Sequence, residues 1–165
     1  MNATRIDLLQ AMPIFGALRD DTLAYLLQGA REVCVPAQGW FFREGDAAAS
    51  LFVLQAGGAS VLKAWKGRQY PLRRLGPGDC FGEMALMDLL PRSASVRADE
   101  ACRAIELGAG DLQRLAEHDL EQFALMQMNM GREVSRRLRE TDELLFAAGM
   151  GEGLPEGVVL GHRLI

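Results

Sequence analysis

The sequence predicts an α+β protein, with an antiparallel β sandwich or barrel held between N-terminal helices and a long C-terminal helix. Three observations predict it. From about residue 30 to 109, short runs rich in Val, Phe and Leu are broken by glycine, with turn signals recurring about every 8–12 residues. Before and after that stretch the apolar residues fall at helical spacing. At 165 residues and 49% hydrophobic, the chain has the length for one domain with an appendage and the apolar content for a real core.

The first helical region is read over 4–29: Ile6, Leu8, Leu9 and Met12 lie near helical spacing, and Asp20 is placed to cap "DTLAYLLQG", which stops at Gly29. The β region, 30–109, holds the runs "REVCVPA", "GWFFRE", "LFVLQAG", "ASVLKAW", "YPLRRL", "ASVRA" and "CRAIEL". "GPGD" at 76–79 is a turn in which Pro77 sets φ and Gly78 permits a positive one; "EGD" at 44–46 is another. Helical spacing returns over 110–147. Asp111 opens a short helix through about Glu117, and a long one follows over 119–147, with the stripe Phe123, Met126, Met130, Val134, Leu138, Thr141 and Leu145. Glu133 with Arg137, and Arg136 with Glu140, are opposite charges at i,i+4. A small barrel cannot easily cover so long a helix, so the stripe is expected to meet a second copy in a homodimer; the alternative is packing on its own barrel. Arg132, Arg136, Arg137 and Arg139 read as a solvated face, since acids interleave with them. The domain is thus 1–147, and 148–165 is a glycine-rich tail.

Several function classes are disfavoured. A net charge of −4 argues against non-specific coating of nucleic acid, though not against a local anion site. No apolar run approaches the roughly 20 residues of a membrane span, and no signal peptide is read, so a cytoplasmic protein is expected. Cys34, Cys80 and Cys102 match no metal pattern or disulfide framework. With His118 and His162 as the two histidines, a His-based metal site or Ser-His-Asp triad is poorly supplied, and no catalytic residue, metal or cofactor is assigned.

The informative stretch is "FGEMALMDLLPRSAS", residues 81–95, which sets an acid and a base nine positions apart among small and apolar residues. Backbone amides near Gly82 to Ala85 are expected to point outward unpaired, and Gly82 admits close approach to the backbone. Arg92 offers a planar fork that matches phosphate oxygens, and Ser93 and Ala94 are small enough for their amides to join it. Glu83 is placed to accept from a hydroxyl. Phosphate and hydroxyl together describe a sugar phosphate; the alternative is a Glu83–Arg92 salt bridge closing a loop.

This stretch resembles the phosphate-binding cassette of the cyclic-nucleotide-binding domain family, seen in catabolite activator proteins, protein kinase regulatory subunits and cyclic-nucleotide-gated channels. Phe81-Gly82-Glu83-Met84-Ala85-Leu86 followed by Pro91-Arg92-Ser93-Ala94 reproduces the family pattern. "PIFGALRDDTLAYL", "REGDAAASLFVLQAGGASV" and "LGPGDCFGE" are similar to the segments that lead up to it. The resemblance implies a jelly-roll β-roll with flanking helices that binds cyclic AMP, or alternatively cyclic GMP. Glu83 then takes the ribose 2′-hydroxyl and Arg92 the cyclic phosphate. Phe81, Gly82, Met84 and Ala85 belong to the backbone wall and cap, and Ser93 and Ala94 complete the cradle. "RRLRETDELL" is similar to the purine-contacting segment of catabolite activator proteins and puts Thr141 at the base, although Asp142 stands where the family usually offers a second hydroxyl. A sensor that relays ligand to an unknown downstream protein fits every residue above. A cupin-like enzyme would need clustered histidines. A transcription regulator would need a helix-turn-helix, which the eighteen residues 148–165 do not supply, so no direct DNA binding is expected; the alternative is the ligand-sensing half of such a regulator, lacking its helix-turn-helix.

Overall fold

The structure is a computed structural model and describes residues 2–150. Helix α1 (Asn2–Gln10), a 3-10 turn (Pro13–Phe15) and α2 (Asp20–Gly29) precede eight strands: β1 (Arg31–Val35), β2 (Trp40–Phe42), β3 (Ser50–Ala56), β4 (Ala59–Trp65), β5 (Arg68–Leu75), β6 (Cys80–Phe81), β7 (Ser95–Ala98) and β8 (Cys102–Gly108). A short helix α3 (Met84–Asp88) separates β6 from β7, and α4 (Ala109–His118) and α5 (Leu120–Gly149) follow. Two antiparallel four-stranded sheets form the roll, in the orders β1-β8-β3-β6 and β2-β7-β4-β5. The seven expected strand runs all appear; the two-residue β6 is too short to carry a period of its own.

The first sheet is covered on both faces, which is why β3 reads as a continuous apolar run rather than an alternating one. Leu51 and Val53, with Leu107 and Ile105 opposite them on β8, face the helices and pack with Leu9, Phe15, Leu23, Leu115 and Met126. Phe52 and Leu54 face the other way, into the roll, with Phe81, Val96, Ala98 and Ala104. The second sheet carries an inner row in register, Phe42–Val96–Val61–Arg73. Leu72 is the extra residue of a bulge that follows Val61 on the partner strand. At the "GPGD" turn, Gly78 has φ +96° and its amide donates to the Leu54 carbonyl at 2.8 Å.

The helix starts differ from expectation in detail. Asp20 does not cap α2: it is the helix's first residue, after extended Arg19, where a carboxylate suits the dipole. Helix α4 begins at Ala109, and Asp111, inside its first turn, accepts from the Gly108 amide at 2.7 Å. Asp119 caps α5 by accepting from the Gln122 amide at 3.1 Å.

The long stripe divides. Met126 and Met130 are fully buried in the chain's own helical core, so they are not available to a second copy. The polar residues beside them dock the helix: Gln122 Oε1 accepts from the Arg19 amide at 2.9 Å, and Asn129 Nδ2 donates to the Gly16 carbonyl at 2.8 Å. Beyond Val134, Leu138 and Leu145 are exposed. Helix α5 extends to Gly149, two residues past the expected end; residues 151–165 of the tail lie outside the described residues.

Candidate functional site

A cleft of about 760 Å³ opens between the inner row of the second sheet, the segment 81–94 and the overhanging part of α5. All nine residues singled out in the sequence line it: Phe81, Gly82, Glu83, Met84, Ala85, Arg92, Ser93, Ala94 and Thr141. Two of them are charged, and both are almost completely buried: Glu83 is 1% and Arg92 4% exposed.

Arg92 meets no acid within ion-pair distance among the described residues. Its Nη1 donates to the Gly82 carbonyl at 2.8 Å and its Nη2 to the Ser50 carbonyl at 2.7 Å, while its Nε has no acceptor. The guanidinium carbon sits 4.0 Å from the centre of the Phe42 ring. Burial lowers the pKa of this guanidinium, against the fields of Glu106, Asp46 and Glu83. The expected alternative, a Glu83–Arg92 bridge, does not form. Gly82 has φ +82°, and a Cβ there would lie 2.6 Å from Arg92 Nη1. The glycine is therefore required by the arginine that packs on it, as well as by the turn.

Glu83 immediately precedes α3. Its Oε1 accepts from Arg137 Nη1, and its Oε2 is buried with no donor among the described residues. A buried carboxylate oxygen without a donor costs on the order of 1–3 kcal/mol, which a ligand hydroxyl would relieve. Helix α3 is only five residues long, so its dipole is small; what it contributes is backbone. The amides of Met84 and Ala85, and of Ser93 and Ala94 across the cleft, donate to no protein acceptor among the described residues.

Arg137 is the residue the sequence reading misplaced. It is not on a solvated face. It ties α5 to the roll through Glu83 and through the Cys80 carbonyl, to which Nη2 donates at 2.8 Å, and Glu133 Oε1 accepts from its Nε at 3.2 Å. Glu133, 7% exposed, also accepts from Arg136 at 2.6 Å. Burial pulls its carboxyl upward, and the two arginines outweigh that and hold it below the ordinary range. A signal for Arg137 was present in the sequence: Met126, Met130, Glu133 and Arg137 follow one another at helical steps on the core-facing row. Thr141, one turn on, donates to its own helix at the Arg137 carbonyl, 2.9 Å away, and is exposed at the cleft mouth.

Residues 32–119 match the sequence profile of the cyclic nucleotide-binding domain. The chain is 31% identical over 107 residues to the cAMP-dependent protein kinase regulatory subunit of Emericella nidulans, covering 65% of this chain and 26% of that protein. It is 30% identical over 135 residues to the Cyclic AMP receptor protein of Thermus thermophilus, covering 81% of this chain and 61% of that protein. Among solved structures, the regulatory domain of Toxoplasma gondii PKA with cAMP superposes with a TM-score of 0.66 at 29% identity, over 69% of this chain and 44% of that chain. The chain thus spans about a quarter to three fifths of the length of these curated relatives.

Proposed function

The chain belongs to the cyclic nucleotide-binding domain family, and on that premise we propose that it is a sensor whose cleft takes a cyclic purine nucleotide, cyclic AMP before cyclic GMP, and passes its occupancy to a partner protein through α5. The observation that carries this reading is the pair of buried, incompletely satisfied charges on one cleft: among the described residues Arg92 has no counter-ion and one Glu83 oxygen has no donor. An anion and a hydroxyl a few ångströms apart on one small ligand satisfy both. Arg92 takes the cyclic phosphate together with the free amides of Ser93 and Ala94, Glu83 takes the ribose hydroxyl, and Phe81, Gly82, Met84 and Ala85 form the wall. Thr141, once turned from its own helix, accepts from the adenine amino group. The relatives named for cyclic AMP support that preference.

The relay is a population shift. Arg137 touches the ribose-side carboxylate from α5, so any change at Glu83 is felt by the helix. A ligand that binds the closed arrangement about a hundredfold better biases it by about 2.7 kcal/mol. The face of α5 that carries half-buried Val134 and exposed Leu138 and Leu145 is the part that pairs with a second copy. Calorimetric titration with cyclic AMP and cyclic GMP tests the central reading: heat with both, and tighter binding of cyclic AMP, is expected. No heat with either at millimolar concentration would overturn it.

A further inference from the structure

Lys63 lies on β4 at the cleft wall, outside the segment 81–95. Its ammonium donates to the Ser93 carbonyl at 2.7 Å and to Glu44 Oε1 at 2.6 Å. Glu44 is itself fixed, since its Oε2 accepts from the Ala64 amide at 3.0 Å and its own amide donates to Ser95 Oγ at 2.8 Å. One residue earlier, the Arg92 carbonyl accepts from the Gly45 amide at 2.8 Å, and the Arg92 amide donates to the Asp46 carbonyl at 2.9 Å. The turn at 44–46 and Lys63 therefore occupy both carbonyls that precede the Ser93 and Ala94 amides.

In a trans peptide the C=O and the next N–H point to opposite sides of the chain. Holding the Arg92 carbonyl fixes the direction of the Ser93 N–H, and holding the Ser93 carbonyl fixes that of the Ala94 N–H. Both amides are without a protein acceptor among the described residues. Free rotation of either peptide would present a carbonyl to the ligand's phosphate, which an anion rejects. We propose that Lys63 is a positioning residue of the phosphate cradle: by pinning the Ser93 carbonyl it presents the Ala94 amide to the cyclic phosphate and keeps that carbonyl turned away from it. This rests on the reading under Proposed function. It makes β4, through one ammonium, part of the anion site.

The test compares Lys63→Met and Lys63→Arg with the wild type by calorimetry with cyclic AMP and by amide NMR of Ser93 and Ala94, with and without ligand. Lys63→Met is expected to bind about tenfold more weakly. The Ala94 amide resonance should move already in the ligand-free protein, and Lys63→Arg should restore most of the affinity. Wild-type affinity in Lys63→Met overturns the proposal. So does weaker binding with Ser93 and Ala94 amides unchanged in both states, which would reduce Lys63 to a distant charge. If the wild type binds no cyclic nucleotide, the functional reading fails. The ligand-free amide spectrum then still decides the positioning, and unmoved amides in Lys63→Met overturn that too. Lys63 is about half exposed, so the methionine variant is expected to fold; thermal unfolding checks it, and Lys63→Arg carries the comparison if it does not.

Discussion

At Arg92, burial and the lack of a counter-ion among the described residues both disfavour a charge that two carbonyls and a ring must hold. A guanidinium at 4% exposure keeps its charge on two carbonyls and the face of Phe42, an arrangement that leaves its Nε for another acceptor. Arg92→Ala is therefore expected to weaken cyclic nucleotide binding by about 2–5 kcal/mol, and Ser93→Ala by about 1 kcal/mol, because the hydroxyl contributes one neutral hydrogen bond. Calorimetry on both variants checks this, and equal losses would mean that backbone amides alone hold the phosphate. The alanine at 92 should also lower the melting temperature, since the Gly82 and Ser50 carbonyls lose their donor. The acid and the base of this site were legible in the sequence because their spacing and small neighbours are local. Arg137 was not: its partner Glu83 is 54 residues away, and a helix bearing four arginines near one another reads as solvated until its core-facing row is followed.

Helix α5 performs two jobs along one stripe, and the apolar pattern records only that the stripe exists. Up to Glu133 its inner face is core, with Met126 and Met130 fully buried and Asn129 and Gln122 bonded to the N-terminal segment. From Arg137 onward the same rows overhang the cleft or face solvent. The two halves predict different responses to substitution. Met130→Ala should cost about 2–5 kcal/mol of stability, by removing core contacts and leaving a cavity. Leu138→Glu, at a residue 59% exposed, should change the stability of the single chain by no more than about 0.5 kcal/mol while abolishing self-association. Thermal unfolding together with sedimentation velocity separates the two. A wild type that sediments as a monomer at every concentration removes the second copy from α5, and unfolding of Leu138→Glu would show that this half too is packed on its own chain. The longer helices were readable from period and seven of the strands from composition and turn spacing, whereas the side of α5 that belongs to the core depends on contacts with residues 14–19, more than a hundred positions away.

Across the whole molecule two cores share the first sheet, one under the helices and one inside the roll. The unbroken apolar run of β3 follows from that layering, whereas the polar join between the layers leaves no local pattern, because it is assembled from three separate elements. It runs from Glu133 on α5 through Arg137 to Glu83 and the Cys80 carbonyl beside the cleft. Glu133 gives the join a pH dependence with a definite sign. Its folded-state pKa is depressed, so the stability it contributes is fully present above the unfolded carboxylate value of about 4.3 and is lost as pH falls through the lower folded value. Acidification should therefore weaken the tie of Glu133 to Arg136 and Arg137, while Met126 and Met130 keep α5 on the core. Glu133→Gln carries no ionisable group there: it should be less stable than the wild type at pH 7 and lose less on going from pH 5 to 3. Melting temperatures of the two proteins across that range check the prediction. Parallel losses in both would place the acid sensitivity in other carboxylates and leave the Glu133–Arg137 pair without a part in holding the helical layer to the roll.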